Sequence, residues 1–405
     1  MSTTNNIKKK HNGRGKAGEV FWAFFKLGMT SFGGPIAHLG FFRDEFVTRR
    51  KWLSDEAYAD LVVLCQFLPG PASSQVGFAL GLMRAGWLGA ISAFAAFTLP
   101  SAAALFLFAI TATQLSIVME SGALDGLKIA AVAIVAQAVW GMGKTLCPDR
   151  QRVIIALAAT VTALIFPGLQ GILGAIVLGI TLGSFFCRSG EYQVSIEISP
   201  RIRPLIGILS LSLFCIFFAG LPLIAAHHQS VAFFESFYRA GSLVFGGGHV
   251  VLPTLEAEVV QRGWLSLDEF IAGYGAAQAI PGPLFTFAAY LGAITQFGPQ
   301  GFEGAMTALV AIFLPGFLLL VGVLPFWNNL RQLPWAQSAI RGTNAAIVGV
   351  LLSALYSPVF ISAVRDGLEL GLAIASIVFL MVWKLPPWSI VLFASLGGVF
   401  IKWLT

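Results

Sequence analysis

Apolar residues fall in long blocks, and polar ones cluster between them. From Ala90 to Ala112 there is no charged residue. An alternation of period two, which would signal the strands of a membrane barrel, is absent there. About 20 consecutive apolar residues span a bilayer as a helix. On that basis the chain reads as thirteen candidate spans: 20–42, 57–82, 87–115, 122–144, 152–166, 168–187, 205–226, 231–252, 269–294, 303–325, 340–360, 367–383 and 387–403. The spans at 20–42 and 231–252 carry glycine clusters, so each is either complete or re-entrant. The fold class predicted is an all-α polytopic membrane protein, placed in a bacterial inner membrane with the lipid bilayer as its surroundings.

Composition agrees. Hydrophobic residues make up 57% of the 405 positions and charged ones 11%, against about 25% charged in a soluble domain. The formal charge of +6 marks cytoplasmic loops and gives no reason to invoke nucleic acid. Cys65, Cys147, Cys187 and Cys215 form no Cys-x-x-Cys pair, so neither a disulfide framework nor a metal site is called for, and no cofactor is expected. The basic segment 1–19 reads as a cytoplasmic tail rather than a cleaved signal, because no small-residue cleavage pattern closes the apolar block after it.

The chain also repeats itself at a period of about 213 residues. Gly28, Phe32, Gly33 and Gly34 correspond to Gly241, Phe245, Gly246 and Gly247. Trp52-Leu53-Ser54 corresponds to Trp264-Leu265-Ser266, and Gln66-x-x-Pro69-Gly70-Pro71 to Gln278-x-x-Pro281-Gly282-Pro283. Leu99-Pro100 corresponds to Leu314-Pro315. This gives repeats at 20–190 and 230–405, with an extra helix in the linker 191–229. An odd number of crossings from one repeat to the next inverts the second, as in many transporters. Most basic loops fit an N-terminus inside, but Arg43, Arg49, Arg50 and Lys51 fall on the wrong side unless the span 20–42 is re-entrant.

Broken membrane helices are tolerated only where protein or a wet cavity satisfies the freed backbone, and matched breaks point to a substrate site. The candidate substrate residues are therefore Gly33, Gly34, Pro35, Pro69, Gly70, Pro71, Gly246, Gly247, Gly248, Pro281, Gly282 and Pro283. Gln66 and Gln278 offer uncharged amide donors. Lys26 and Arg239 match across the repeats, and Lys128 and Arg341 lie in the fourth helix of each; a basic residue within a span is a functional candidate, with snorkelling, or for Lys128 an ion pair with Asp125, as the alternative. His38 and His249 could couple protons to transport or simply pack. Glu45 and Glu258 follow the glycine clusters and read either as proton-coupling groups or as solvated loop acids. No Walker A, zincin or dinucleotide fingerprint occurs, so an enzyme is not expected.

At Phe32-Gly33-Gly34-Pro35-x-Ala37-His38-x-Gly40, Leu68-Pro69-Gly70-Pro71 and Phe245-Gly246-Gly247-Gly248-His249-Val250, the chain resembles the chromate ion transporter (CHR) family in its long, two-domain form. The resemblance runs from about residue 20 to the C-terminus. It implies chromate efflux driven by an ion gradient, conferring chromate resistance, with sulfate as a competing tetrahedral dianion. A sulfate or other oxyanion importer of the same fold, a passive anion channel and a membrane enzyme acting on lipid-linked phosphates are the alternatives. A homodimer is left open.

Overall fold

The computed structural model describes residues 15–32, 34–114, 122–187, 202–245, 248–330 and 333–404. Most of the basic tail, the segment 188–201 and the glycines Gly33, Gly246 and Gly247 lie outside that set. The described chain is helical throughout. Seven of its helices are long and apolar enough to cross a membrane.

Helix α1 (Ala17–Thr30) stops at Ser31, and α2 (Gly34–Phe42) starts after a break, running on as a π-helical stretch to Arg49. The second segment doubles back along the first. Phe24 of α1 stacks on Phe46 at 4.7 Å, and Arg50 reaches Glu19 at 3.8 Å. Helix α3 (Asp55–Phe67) then runs in to Pro69-Gly70-Pro71, and α4 (Ala72–Gln114) runs back out. Arg84 returns to Glu19 at 3.1 Å. Ala85 and Gly86 leave helical geometry, so α4 is two arms, and the second folds back on the first where Gly81 and Gly89 bring the backbones together.

Four further helices complete the first half and the linker: α5 (Ala123–Leu146), α6 (Arg150–Ile165), α7 (Leu169–Phe186) and α8 (Pro204–Ala225). The second half repeats the order. Helix α9 (Gln229–Ser242) breaks before Gly248, and a 3₁₀ turn, α10 (Val251–Leu255) and a π-helical turn to Val260 lead back. Arg239 of α9 meets Glu258 of the returning segment at 3.5 Å. Helix α11 (Leu267–Ala279) runs to Pro281-Gly282-Pro283, and α12 (Phe287–Ile294) returns. Then come α13 (Gly301–Val323), the short α14 (Trp327–Leu330), α15 (Pro334–Ala354), the short α16 (Ile361–Ala363), α17 (Gly367–Met381) and α18 (Pro387–Leu404).

Four of the thirteen expected spans are affected, and for 20–42 and 231–252 a re-entrant course was one of the two readings. The stretches 20–42, 57–82, 231–252 and 269–294 are each interrupted in mid-length. At 1.5 Å per residue, an arm such as the 13-residue α3 is about 20 Å long, short of the ~30 Å hydrocarbon core. Because Arg50 and Arg84 both meet Glu19, the loop 43–54 sits beside the N-terminal end of α1. Arg43, Arg49, Arg50 and Lys51 therefore lie toward the same end of the bundle as the start of α1. Hydropathy sums a window of residues and cannot register a reversal of the chain inside it.

The matched Trp-Leu-Ser segments now have a physical role. Ser54 and Ser266 cap α3 and α11 by accepting from Ala57 N and Glu269 N. At Ser266 the Glu269 carboxylate also accepts from the Ser266 backbone, which completes a capping box. Trp52 lies under the guanidinium groups of Arg50 (5.7 Å) and Arg84 (5.3 Å), and Trp264 under that of Arg262 (5.5 Å). In the same loop Arg43 forks onto Asp55 at 2.7 and 2.5 Å, which holds the Asp55 carboxyl below its usual range.

Candidate substrate site at the meeting of four helix breaks

The four hairpin tips meet, and they meet crosswise. Gly70 N–H donates to Val244 O at 2.6 Å, so the Pro-Gly-Pro turn of the first half is tied to the α9 break of the second. Gly282 N–H donates to Ser31 O at 3.0 Å, tying the second Pro-Gly-Pro turn to the α1 break. A Cβ on Gly34 would stand 3.4 Å from His249 Nε2, so the two glycine clusters are neighbours as well.

Glycine is required at both turn centres. Gly70 has φ +120° and Gly282 φ +113°, a region that side chains avoid. A Cβ on Gly70 would lie 2.9 Å from Gly316 Cα, and one on Gly282 would lie 2.7 Å from Ser101 Oγ. Gly316 follows Pro315 in α13, and Ser101 follows Pro100 in α4, so these contacts also match between halves. Gln75 Nε2 donates to Pro69 O at 3.0 Å and to Gly316 O at 2.9 Å, fixing the first turn against α13. Its repeat counterpart is Phe287, so the two half-sites are chemically unequal.

Four outgoing segments begin at these breaks, at Gly34, Ala72, Gly248 and Leu284. A helix start leaves up to four backbone N–H groups without intrahelical partners and carries a partial positive charge. That end suits a phosphate-like oxyanion. The incoming arms finish at the same place with their carbonyl ends, which suit a cation or a proton donor. Side chains add polarity. His38 is 1% exposed, with Nε2 3.2 Å from Ser31 O and Nδ1 3.5 Å from Ser73 Oγ. His249 Nδ1 lies 3.2 Å from Tyr274 OH. Among the described residues, Ser31 Oγ, Ser74 Oγ and Gln75 Oε1 are buried without a hydrogen-bond partner.

Of the residues singled out by sequence, the structure gathers Gly34, Gly70, Gly248, Gly282, His38 and His249 at this crossing. Pro69, Pro71, Pro281 and Pro283 flank the turn glycines, and Pro35 lies in the first turn of α2. Gly33, Gly246 and Gly247 fall outside the described residues. Gln66 is exposed in the last turn of α3, and Gln278 is half-buried in the last turn of α11, one turn from Tyr274. Lys26 lies on an exposed face of α1, one turn before its break.

The other charged candidates stand apart, engaged with partners. Lys128 is 2.9 Å from Asp268 and 3.1 Å from Asp125. Asp268 opens α11 ten residues before Gln278, about 15 Å down the helix. Arg341 donates to Cys187 O at 3.3 Å, at the far end of α7. Arg239 pairs with Glu235 and Glu258, and Arg262 lies 2.8 Å from Glu258. Glu45 pairs with Arg49 (3.1 Å) and Arg50 (2.6 Å). Sequence reading missed Ser31, Ser73, Gln75, Ser101, Tyr274 and Gly316. A signal existed for two of them, since the matched Leu-Pro pairs immediately precede Ser101 and Gly316. Among the described residues no group of three His, Cys, Asp or Glu is placed to hold a metal.

An all-helical bundle with several membrane-length helices and hairpins that break at its centre defines a polytopic membrane protein. Two stretches, residues 18–184 and 231–399, match the family described as Chromate transporter. The chain belongs to the chromate transporter family, a family of transporters and not of enzymes. It is 27% identical to the chromate transport protein of Pseudomonas aeruginosa over 94% of this chain and 91% of that one. It is 28% identical to a probable chromate transport protein of Synechococcus elongatus over 82% of each. It is 25% identical to the chromate transport protein of Cupriavidus metallidurans over 88% of this chain and 84% of that one. No solved structure matches it. The two matched stretches fall one in each half of the fold.

Proposed function

We propose that this protein is a secondary transporter that exports chromate from a bacterial cell across the inner membrane, driven by an ion gradient and competed by sulfate. The observation that carries the reading is the pair of crossed hydrogen bonds, Gly70 N to Val244 O and Gly282 N to Ser31 O. They bring four helix starts to one point, where a tetrahedral dianion finds N–H donors without a fixed countercharge. The carbonyl ends beside them and the two histidines supply places for the coupled ion or proton. The family membership and the names of the relatives supply chromate as the cargo.

The topology that goes with this reading has nine crossing helices: the second arm of α4, then α5, α6, α7, α8, α13, α15, α17 and α18. Two re-entrant hairpins per half replace four of the thirteen spans. The first half then contributes an even number of crossings, and α8 alone inverts the second half. Contacts support it. The loop 50–54 lies at the α1 end with Glu19, whereas the equivalent loop 262–266 lies beside the α6–α7 turn, where Gln261 meets Gly168. Single cysteines at Lys51 and Gly263, equivalent loop positions in a cysteine-free background, then label from opposite faces. Labelling from one face rejects inversion.

Flux of radiolabelled chromate and sulfate, in vesicles of known orientation under imposed pH and sodium gradients, tests the function. Saturable chromate movement in the outward sense, collapsing with one gradient and blunted by excess sulfate, is expected. Movement that follows membrane potential alone makes the protein a channel. Net inward movement reverses the direction, and no movement of either ion rejects the oxyanion reading.

A further inference from the structure

At the end of the bundle where α7 finishes and α15 begins, the structure holds a cavity of about 480 Å³ that is separate from the hairpin crossing. Its wall carries Arg150, Arg152 and Arg341 against one carboxylate, Asp149. That carboxylate is already committed: Oδ1 accepts from Arg152 N at 2.9 Å as the cap of α6, and Oδ2 accepts from Arg152 Nε at 2.6 Å. Arg341 is steered into place by Cys187 O, which Ser338 Oγ also engages at 3.2 Å. Arg150 is exposed, and its guanidinium has no partner among the described residues.

The surroundings fit a membrane interface. Trp140 and Trp335 are exposed nearby, and Lys144 sits over the Trp140 ring at 4.8 Å; aromatic and basic side chains of this kind mark the headgroup level. Below the cavity, α6 and α7 present bare apolar side chains, Ile154 at 62% and Phe185 at 65% exposure among them. A basic pocket between membrane helices, above an open apolar face, has the chemistry to bind an anionic headgroup. The guanidinium fork of Arg150, with the charges of Arg152 and Arg341 beside it, suits a phosphate, with hydrogen bonds as well as charge.

We propose that this cavity binds a phosphate group, and that its source is the headgroup of an anionic phospholipid whose acyl chains lie along α6 and α7. The site is distinct from the transport site proposed above, and its test does not use chromate flux. Full-length protein, purified and stripped of lipid, is titrated with phosphatidylglycerol or with phosphatidylcholine, and bound lipid is read by native mass spectrometry. Inorganic phosphate at matched ionic strength is titrated in parallel, with thermal unfolding as the readout. Phosphatidylglycerol is expected to be retained over phosphatidylcholine. Arg150→Gln is expected to weaken its retention about five-fold, as fits one lost charge near a membrane surface, and Arg150→Lys to weaken it much less. The control Arg365→Gln changes an exposed arginine that is 3.8 Å from Asp125 of α5, and is expected to leave retention unchanged. Stabilisation by inorganic phosphate with no preference between the lipids keeps the phosphate site and overturns the lipid source. Equal retention of both lipids with no response to phosphate, or equal loss in Arg365→Gln, overturns the proposal.

Discussion

Replacing Gly70 with alanine separates backbone strain from close packing at the crossing. Two costs are expected. The φ of +120° belongs to a region occupied almost only by glycine, and forcing a side chain there costs roughly 1–3 kcal/mol. The new Cβ would also stand 2.9 Å from Gly316 Cα and 3.1 Å from Gln75 Nε2. The first neighbour is backbone and cannot rotate away, so overpacking adds about 1–3 kcal/mol. Gly86 provides the control. Its φ of +69° with ψ of −157° is also a region that essentially only glycine occupies, and a methyl group added there would meet nothing within 4 Å, so Gly86→Ala carries strain alone, roughly 1–3 kcal/mol. The assay is thermal unfolding of both variants in detergent, followed by chromate flux in vesicles. The drop in midpoint for Gly70→Ala is expected to be about two-fold that for Gly86→Ala, from strain plus overpacking against strain alone. Gly70→Ala is also expected to cut flux at least ~10-fold, since displacing the Gly70–Val244 bond by a barrier equivalent of about 1.4 kcal/mol suffices for that. Equal midpoints for the two variants would refute the claim that Gly70 and α13 are in forced contact. Normal flux in a folded Gly70→Ala protein would refute the functional weight given to the crossing.

Pro69→Ala and Pro281→Ala are each expected to abolish most transport while the protein stays in the membrane, because a straightened turn withdraws helix starts from the site; normal flux in either, measured in vesicles, makes that turn a packing feature. Lys128→Met removes the partner of Asp125 and Asp268, and the loss of charge-assisted bonds is expected to cost about 1.5–3 kcal/mol. The double variant Lys128→Met/Asp268→Asn recovers part of that stability if the pair is structural, whereas unrecovered flux with recovered stability returns Lys128 to substrate binding. Ser266→Ala loses a complete capping box and is expected to cost about 1 kcal/mol. Ser54→Ala costs less, because Ala57 cannot supply the reciprocal bond, and a thermal ranking in the opposite order contradicts the cap assignment.

Local chemistry along the chain was enough for the class and the construction. Apolar blocks without charge left helices as the spanning element, and the matched Phe-Gly-Gly, Trp-Leu-Ser and Pro-Gly-Pro motifs marked two repeats and their breaks. Those breaks were legible because proline and glycine state their backbone requirements locally. What each break does became visible only in the folded arrangement. The fall in helix propensity at Ser31 or Pro69 is the same for a kink and for a reversal. What makes them reversals is the antiparallel packing of Phe24 on Phe46 and the return of Arg50 and Arg84 to Glu19. The partners of the charged candidates were hidden for a related reason. A lysine inside an apolar block has an unknown partner until a distant segment arrives, and Asp268 reaches Lys128 from 140 residues away. Gln75 was invisible because its two acceptors, Pro69 O and Gly316 O, belong to opposite halves of the chain. The positions of breaks follow from short-range sterics written in the sequence, whereas the crossing of Gly70 with Val244 and of Gly282 with Ser31 depends on long-range packing between halves, which only the folded chain supplies.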